Sequence, residues 1–276
     1  MDPDGAPRNL DYLSHLARDS ARFVEVLAQA PAGTRVPTCP DWDADDLLSH
    51  LGQVQWFWGT ILGRQLTTNA EVEALLRPKR PDNRDELVAL FGRTNRELQQ
   101  NLAKTSPDTP AWTWSEEQTA GFIGRRQAHE ALIHRLDAEL TTGQRTAMDA
   151  DLSTDGVDEV LSFMGSGTQP GGRFIPYDSK TIRIQATDTH RSWLVTLGQL
   201  SGTKGERAQD VEPGMQVVAA GGRRSDGSQP AAATMSGAAA DLDCLLWHRP
   251  TVGQVGRTGD PLTLHLLDEI ISRDQS

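Results

Sequence analysis

The sequence has very few cysteines and no long apolar run. Its two cysteines, Cys39 and Cys244, are too few for a disulfide framework and are typical of a protein in a reducing compartment. No stretch approaches the roughly 18 consecutive apolar residues that a transmembrane helix requires. The N-terminal segment MDPDGAPRNLDY has neither the basic start nor the apolar core of an export signal. We therefore expect a cytoplasmic protein without a membrane partner.

Basic residues are also in deficit. The chain has 27 lysines and arginines against 38 aspartates and glutamates, which gives a formal net charge of −11. A protein that neutralises nucleic-acid phosphates needs a basic excess, so this balance argues against a nucleic-acid partner. With 37% hydrophobic residues over 276 positions, the chain can build two hydrophobic cores. The composition favours small-molecule chemistry, while the choice between a monomer and a homodimer stays open.

Apolar residues recur at helical spacing in the first half of the chain and predict four long helices, at 9–30, 43–62, 82–103 and 127–140. Asp43 is the predicted N-cap of the second helix, and Gly63 is predicted to close it. The charged connection 64–80 has room for a short helix of its own. Four helices joined by Pro- and Gly-bearing connections predict an up-and-down bundle, an architecture that holds metal sites between facing helices.

After Gly143 the pattern changes to short β-branched runs separated by polar turns. Strands are predicted at 181–187, 193–196, 216–219 and 231–235, with helices at 154–163, 237–247 and 261–272. The second half is therefore expected to be an α+β domain. Its Gly-rich segment GSGTQPGGRF, at 165–174, is interpreted as a linker or surface loop, because no strand precedes it and no G-K-[ST] ends it.

The segment QAHEALIHRLDAEL, at 127–140, carries the clearest chemical signal. Glu130 and His134 are one helical turn apart and Asp137 follows, so the three project from one side of the helix. A carboxylate and an imidazole at this spacing can share a metal ion, although the same spacing is common on ordinary solvent-facing helices. His50, in an apolar stripe of the second helix, is a candidate third ligand. The alternative for His50 is a hydrogen-bonded core histidine.

Three segments together resemble the mycothiol-dependent maleylpyruvate isomerase family of the DinB-like metalloenzyme superfamily. They are PTCPDWDADDLLSHLG, RRQAHEALIHRLDAE and SGAAADLDCLLWHR with a later GD, and they span most of the chain in order. The resemblance implies a DinB-like metal-binding four-helix bundle at 1–146 and a smaller C-terminal α+β domain, 147–276, that completes the active-site cleft. It also implies a divalent metal held by His50, Glu130 and His134. Zinc is the metal that the family usually holds, with nickel or another divalent ion as the alternative.

The resemblance further implies that mycothiol, a low-molecular-weight thiol, is the cosubstrate. Bound to the metal as a thiolate, it would attack a small-molecule electrophile. We predict S-transfer or thiol exchange, because the charged connection and the tryptophan-rich first half suit a bulky acceptor. The alternatives are cis–trans isomerisation of the maleylpyruvate type and a non-catalytic metal- or thiol-binding regulatory role. The sequence assigns no residue to the mycothiol sugars.

Asp137 and Arg249 are the candidate catalytic residues. Asp137 matches the aspartate of the family motif and would orient His134 or shuttle a proton. Arg249 matches the family's second-domain arginine and would neutralise a substrate carboxylate or a developing enolate. The alternative for Arg249 is a cation that stabilises a helix end.

Other reactive side chains in the first half are given structural roles. His129 lies about 100° around the helix from Glu130, so we expect it outside the ligand set. Cys39 is predicted to be structural, because a fourth protein ligand would close the metal site. Five of the seven tryptophans are expected to line the substrate pocket or to fill the core; they are Trp42, Trp56, Trp58, Trp112 and Trp114.

Overall fold

The computed structural model describes residues 10–31, 33–164, 173–201, 211–221 and 230–273. These residues form two compact units, Asp11–Ala147 and a second unit that comprises Leu10 and the described residues from Met148 onward. Within the described ranges the protein contains eight α-helices and two sheets, which confirms the predicted mixture of helix and sheet. None of the described helices is both long and apolar enough to cross a membrane.

The first unit is mainly helical. Its helices are α1 (Tyr12–Ala28), α2 (Ala44–Arg64), α3 (Asn69–Glu73), α4 (Arg84–Lys104) and α5 (Ala120–Thr141). Strands β1 (Arg35–Val36) and β2 (Cys39–Asp43) form a small antiparallel pair before α2. The four long helices predicted from apolar periodicity are confirmed, and α3 lies in the connection where a short helix was expected. The last long helix begins earlier than predicted, because Thr119 caps it by accepting a hydrogen bond from the backbone N–H of Phe122.

Helix α2, which carries His50, begins at its predicted cap. The Asp43 carboxylate accepts hydrogen bonds from the backbone N–H groups of Asp45 and Asp46 at 2.9 and 3.0 Å, and Asp46 accepts one in return from the N–H of Asp43. This reciprocal capping box stabilises the first turn. The predicted end at Gly63 is wrong, since the helix continues to Arg64 and stops at Gln65, whose φ of 56° is left-handed.

Helices α2 and α4 pack closely and run in the same direction. A Cβ added at Gly52 would contact Phe91, and one added at Gly59 would lie 3.3 Å from the Cα of Leu98. Residue numbers therefore increase in the same direction along both helices, as they do in a parallel pair. The expected alternating up-and-down course is therefore wrong for this pair. The long connection between the two helices lets the chain return before α4 begins.

Helices α1 and α5 are also parallel, and buried ion pairs fix their register. The carboxylate of Asp19 lies 3.2 Å from the guanidinium of Arg135, and Arg22 lies 3.1 Å from Glu139. The side chains of Asp19, Arg135 and Glu139 are buried. Charges at such depth are tolerated because they are paired, and a sliding of one helix along the other would separate them.

The second unit contains a five-stranded sheet with helices. Its elements are α6 (Ala150–Glu159), a π-helical turn (Val160–Met164), β3 (Arg173–Ala186), β4 (Arg191–Ser201), β5 (Val211–Gly221), β6 (Ala233–Gly237), α7 (Ala239–Leu246), β7 (Gly256–Gly259) and α8 (Pro261–Arg273). The strand order is β5-β4-β3-β6-β7, with β3 and β6 parallel and the other neighbours antiparallel. The four predicted strands and three predicted helices are confirmed. Ile182, Ile184 and Trp193 lie in the core of this unit.

Two features of the second unit depart from the sequence prediction. Strand β7 was not predicted, because its sequence GRTG has no apolar alternation and all four residues are exposed. Most of the Gly-rich segment, residues 165–172, lies outside the described residues. Its last two residues, Arg173 and Phe174, belong to β3, so the predicted loop is wrong at that end.

Candidate metal site

Three side chains from two helices converge in the first unit. His50 of α2 and Glu130 and His134 of α5 each offer a ligand atom, and these atoms lie within 4.8 Å of one another. The Oε1 atom of Glu130 is 3.6 Å from Nε2 of His50 and 3.3 Å from Nε2 of His134. Two imidazole nitrogens and one carboxylate oxygen form a donor set that suits zinc and other divalent transition metals.

Asp137 lies behind His134 and fixes its ring. Its Oδ2 is 3.0 Å from Nδ1 of His134, and its Oδ1 accepts a 2.6 Å hydrogen bond from the hydroxyl of Thr38. Asp137 is fully buried. With Nδ1 bonded to a carboxylate, the Nε2 atom of His134 is directed at Glu130, as in the carboxylate–histidine pairs that support metal sites.

Thr38 was missed by the sequence analysis. It lies between β1 and β2, 99 residues before Asp137 in the sequence. It belongs to the PTCPDW segment that carried the family resemblance, but no spacing rule connects a loop threonine with a helix so far along the chain. Its place beside the ligands depends on how the β1–β2 pair packs onto α5.

Arg126 is a second residue that the sequence analysis did not select. It lies one turn before Glu130 on α5, and its guanidinium contacts Oε2 of that carboxylate. Arg126 therefore holds one carboxylate oxygen while Oε1 faces the two imidazoles. This contact could have been predicted from the sequence, because the four-residue spacing between Glu130 and His134 also separates Arg126 from Glu130.

The charges of this cluster shift two pKa values in opposite directions. Burial raises the pKa of Glu130, but Arg126 and the two histidines outweigh burial and hold that pKa well below its usual range. Burial lowers the pKa of His134, yet its bonds to Asp137 and Glu130 raise the pKa to about 9. Without metal, His134 is therefore protonated at neutral pH. A divalent cation would take the place of that proton.

The donors are partly accessible to solvent. The side chain of His50 is 34% exposed, and those of Glu130 and His134 are 13% and 10% exposed. The ring of Trp42 lies against His50 with centroids 4.7 Å apart. Three donors with one accessible side suit a site that keeps a coordination position open, so these residues fit the metal that the resemblance implies.

The other candidate residues are not among the three donors. His129 is buried with its ring edge against Tyr12, at a centroid distance of 6.3 Å. Cys39 packs on an apolar cluster that includes Phe23. Both positions are in keeping with the structural roles expected for them. Arg249 follows α7, and its guanidinium donates a 2.6 Å hydrogen bond to the carbonyl of Trp247; its catalytic role stays a prediction.

The five tryptophans of the first unit divide between several environments. Trp58 is buried in the core, whereas Trp114 is 48% exposed and packs on Phe122. Trp42 lies on His50, while Trp56 and Trp112 line a separate cavity. The tryptophans therefore do not form one pocket around the three donors.

Residues 13–139 match the family model of the mycothiol maleylpyruvate isomerase N-terminal domain. The solved structure of a mycothiol-dependent maleylpyruvate isomerase is similar over 91% of this chain and 93% of its own, with 14% identity and a TM-score of 0.52. A mutant of it with one histidine replaced by alanine matches over the same shares, with 13% identity and a TM-score of 0.52. At this low sequence identity the two structural similarities establish a shared fold and nothing more. No curated protein matches the chain. The resemblance predicted from the motifs is confirmed, and the N-terminal unit of this chain belongs to the mycothiol maleylpyruvate isomerase N-terminal domain family.

Proposed function

We propose that this protein is a mycothiol-dependent metalloenzyme that activates the thiol for S-transfer or thiol exchange on a small electrophile. The observation that supports it is the convergence of His50, Glu130 and His134, two of them directed by buried partners. In this proposal 1–146 form a DinB-like metal-binding four-helix bundle, and 147–276 form an α+β domain that completes the active-site cleft. Zinc is the first candidate metal, with nickel or another divalent ion as the alternative.

A divalent metal in this donor set would supply positive charge that lowers the pKa of a bound thiol and favours the nucleophilic thiolate. The chain's own residues prepare the site for it. The carboxylate of Asp137 accepts a hydrogen bond from Nδ1–H of His134, so Nε2 is the atom that would bind the metal once it has lost its proton. Arg126 holds Oε2 of Glu130, so the carboxylate presents Oε1. The two contacts set the direction of two donors before any ligand enters.

Asp137 acts through orientation in this proposal rather than as a proton shuttle. One of its oxygens is bonded to Thr38 and the other to His134, and the side chain is fully buried. A carboxylate so placed acts on a thiol or substrate through the imidazole. It therefore keeps the tautomer and angle of His134 while the S–H proton leaves to solvent.

Arg249 is proposed to neutralise a carboxylate or a developing enolate on the substrate. This role rests on its match to the family's second-domain arginine. Replacement by alanine should leave the metal content unchanged and lower turnover. Arg257, which pairs with Asp268 on the same unit, provides a matched control, and equal losses in Arg249→Ala and Arg257→Ala would refute a specific role.

Cis–trans isomerisation is the second candidate, because the two similar solved structures are of a maleylpyruvate isomerase. Both reactions begin when a thiolate forms an S–C bond with the electrophile. In isomerisation that bond breaks again after rotation and the thiol is returned, whereas in S-transfer it persists. Turnover with mycothiol and a panel of electrophiles would separate them, since only S-transfer consumes thiol in step with product.

Elemental analysis of the purified protein tests the metal proposal. We expect about one divalent ion per chain, lost in His50→Ala, Glu130→Ala and His134→Ala. His265→Ala is a suitable control, since that side chain is 68% exposed on α8 and should keep the ion. Full occupancy in all three ligand variants would refute the site. Metal retention without any thiol-dependent turnover would instead favour the regulatory alternative.

A further inference from the structure

The first unit contains a cavity that includes none of the three metal donors. Its volume is about 310 Å³, and it lies where α2, α3 and the segment before α5 meet. Trp56, Phe57 and Trp112 form its aromatic walls, and two aliphatic side chains, Val72 and Leu75, complete the apolar lining. Small-molecule pockets begin at about this volume and combine apolar walls with a few polar groups.

The aromatic wall is pre-formed. The indole N–H of Trp112 donates to the side-chain oxygen of Asn69, and the backbone N–H of Trp112 donates to the carbonyl of Leu66 at 2.8 Å. The ring of Trp112 also stands edge to face against Phe57, at a centroid distance of 6.0 Å. An indole fixed by a hydrogen bond and a ring contact, on a backbone that is itself bonded, loses little conformational entropy when a ligand packs on it.

Two opposite charges complete the lining. Glu73 and Arg77 both line the cavity and are exposed. Within the part of the chain that the structure describes, neither side chain has a hydrogen bond or an ion pair. A carboxylate and a guanidinium are thus both available in the lining of an aromatic pocket.

We propose that this pocket binds a small aromatic zwitterion, with the ring between Trp56 and Trp112, the ammonium on Glu73 and the carboxylate on Arg77. An aromatic α-amino acid has this chemistry. A ligand with a single charge would pair with only one of Glu73 and Arg77 and would be repelled by the other. A zwitterion complements both, and the aromatic walls favour a planar apolar group through stacking and edge contacts.

This binding does not depend on the proposed metal chemistry. Trp56 and Phe57 follow His50 on α2 by about 10 Å of helix, and no donor of the metal cluster lines the cavity. Metal-free and metal-loaded protein should therefore bind the same ligand with the same affinity. The binding proposal would therefore survive failure of the metal proposal. The metal proposal would likewise survive failure of the binding proposal.

Calorimetric titration of the full chain with L-phenylalanine tests the proposal. A ligand of this size should bind with a Kd on the order of 1 mM. The analogues 3-phenylpropanoate, which lacks the ammonium, and phenethylamine, which lacks the carboxylate, should each bind about two- to fivefold more weakly, because exposed ion pairs contribute modestly. Equal binding of either analogue in the wild-type protein, or no binding of L-phenylalanine, would overturn the proposal.

Two conservative variants assign the charges. Glu73→Gln should abolish the preference for L-phenylalanine over 3-phenylpropanoate but keep the preference over phenethylamine. Arg77→Gln should abolish the preference over phenethylamine but keep the preference over 3-phenylpropanoate. Lys79→Gln, two residues from Arg77 and outside the lining, is the control and should change neither. Phe57→Leu should weaken all three ligands together. If Lys79→Gln has the same effect as Arg77→Gln, the ligand responds only to the overall electrostatic field of the surface. The assignment of its carboxylate to Arg77 would then be wrong.

Discussion

Asp137 shows how a single side chain can matter without touching a ligand. Its two oxygens bridge the Thr38 hydroxyl and the His134 ring. Asp137→Asn preserves size but can place an N–H donor where His134 needs an acceptor, so the ring tautomer should change. We expect metal content and fold to persist while turnover falls by about 10- to 100-fold, the loss typical of a residue that orients a metal-binding histidine.

The control for this variant is Asp108→Asn, since Asp108 is an exposed aspartate of the same unit. Thr38→Val should reproduce part of the loss, and Thr38→Ser should restore it, because serine keeps the hydroxyl that Asp137 accepts. Turnover in Asp137→Asn equal to that of the wild type would reduce Asp137 to a packing residue.

The raised pKa of His134 predicts a pH dependence of metal binding. Because that pKa is about 9 without metal, the incoming ion must displace a proton at any lower pH. Apparent affinity should therefore rise with pH, by up to about tenfold per unit, and level off above pH 9. Metal titrations between pH 6.5 and 9.5, repeated in buffers of different ionisation enthalpy, measure both the slope and the released proton. A flat profile below pH 9 would show that His134 is already neutral.

At the scale of elements, the close packing of α2 against α4 depends on glycine. A Cβ at Gly59 would lie 3.3 Å from the backbone of Leu98, whereas one at Gly92 would meet only the end of the Arg96 side chain at 3.4 Å. Gly59→Ala should therefore destabilise the protein by about 1–3 kcal/mol through overpacking. Gly92→Ala should stabilise it by up to about 1 kcal/mol through helix propensity.

Urea unfolding followed by circular dichroism measures both glycine variants. The pair is matched, since each adds one methyl group within a long helix of the same unit. If both variants gain stability, the α2–α4 contact is looser than the structure indicates. Because His50 lies on α2, a forced separation of these helices should also weaken metal binding.

At the scale of the whole molecule, the proposed metal should stabilise one unit selectively. Its donors lie on α2 and α5, both within Asp11–Ala147. A ligand that binds only the folded state adds about 4 kcal/mol when its free concentration is 1,000 times its Kd. Hydrogen exchange of the full chain should therefore slow in α2 and α5 on adding zinc and stay unchanged in β3 and β4. Glu130→Ala should remove the response, and equal protection of both units would contradict this localisation.

The sequence by itself determined the local features of this protein. Apolar periodicity placed the long helices, capping chemistry placed the start of α2, and the spacing of Glu130, His134 and Asp137 put them on one side of α5. These features depend on residues within a few positions of one another. Over such distances the geometry of the helix determines which side chains share a face.

Tertiary structure decided which distant segments meet. The parallel course of α2 and α4, the contact of Thr38 with Asp137 and the pairing of the exposed strand β7 have no local signal. The sequence could propose His50 as a third ligand but could not decide between that role and a core histidine, because its approach to Glu130 depends on the packing of α2 against α5. Packing joins side chains whose positions along the chain are unrelated, and no residue spacing encodes that.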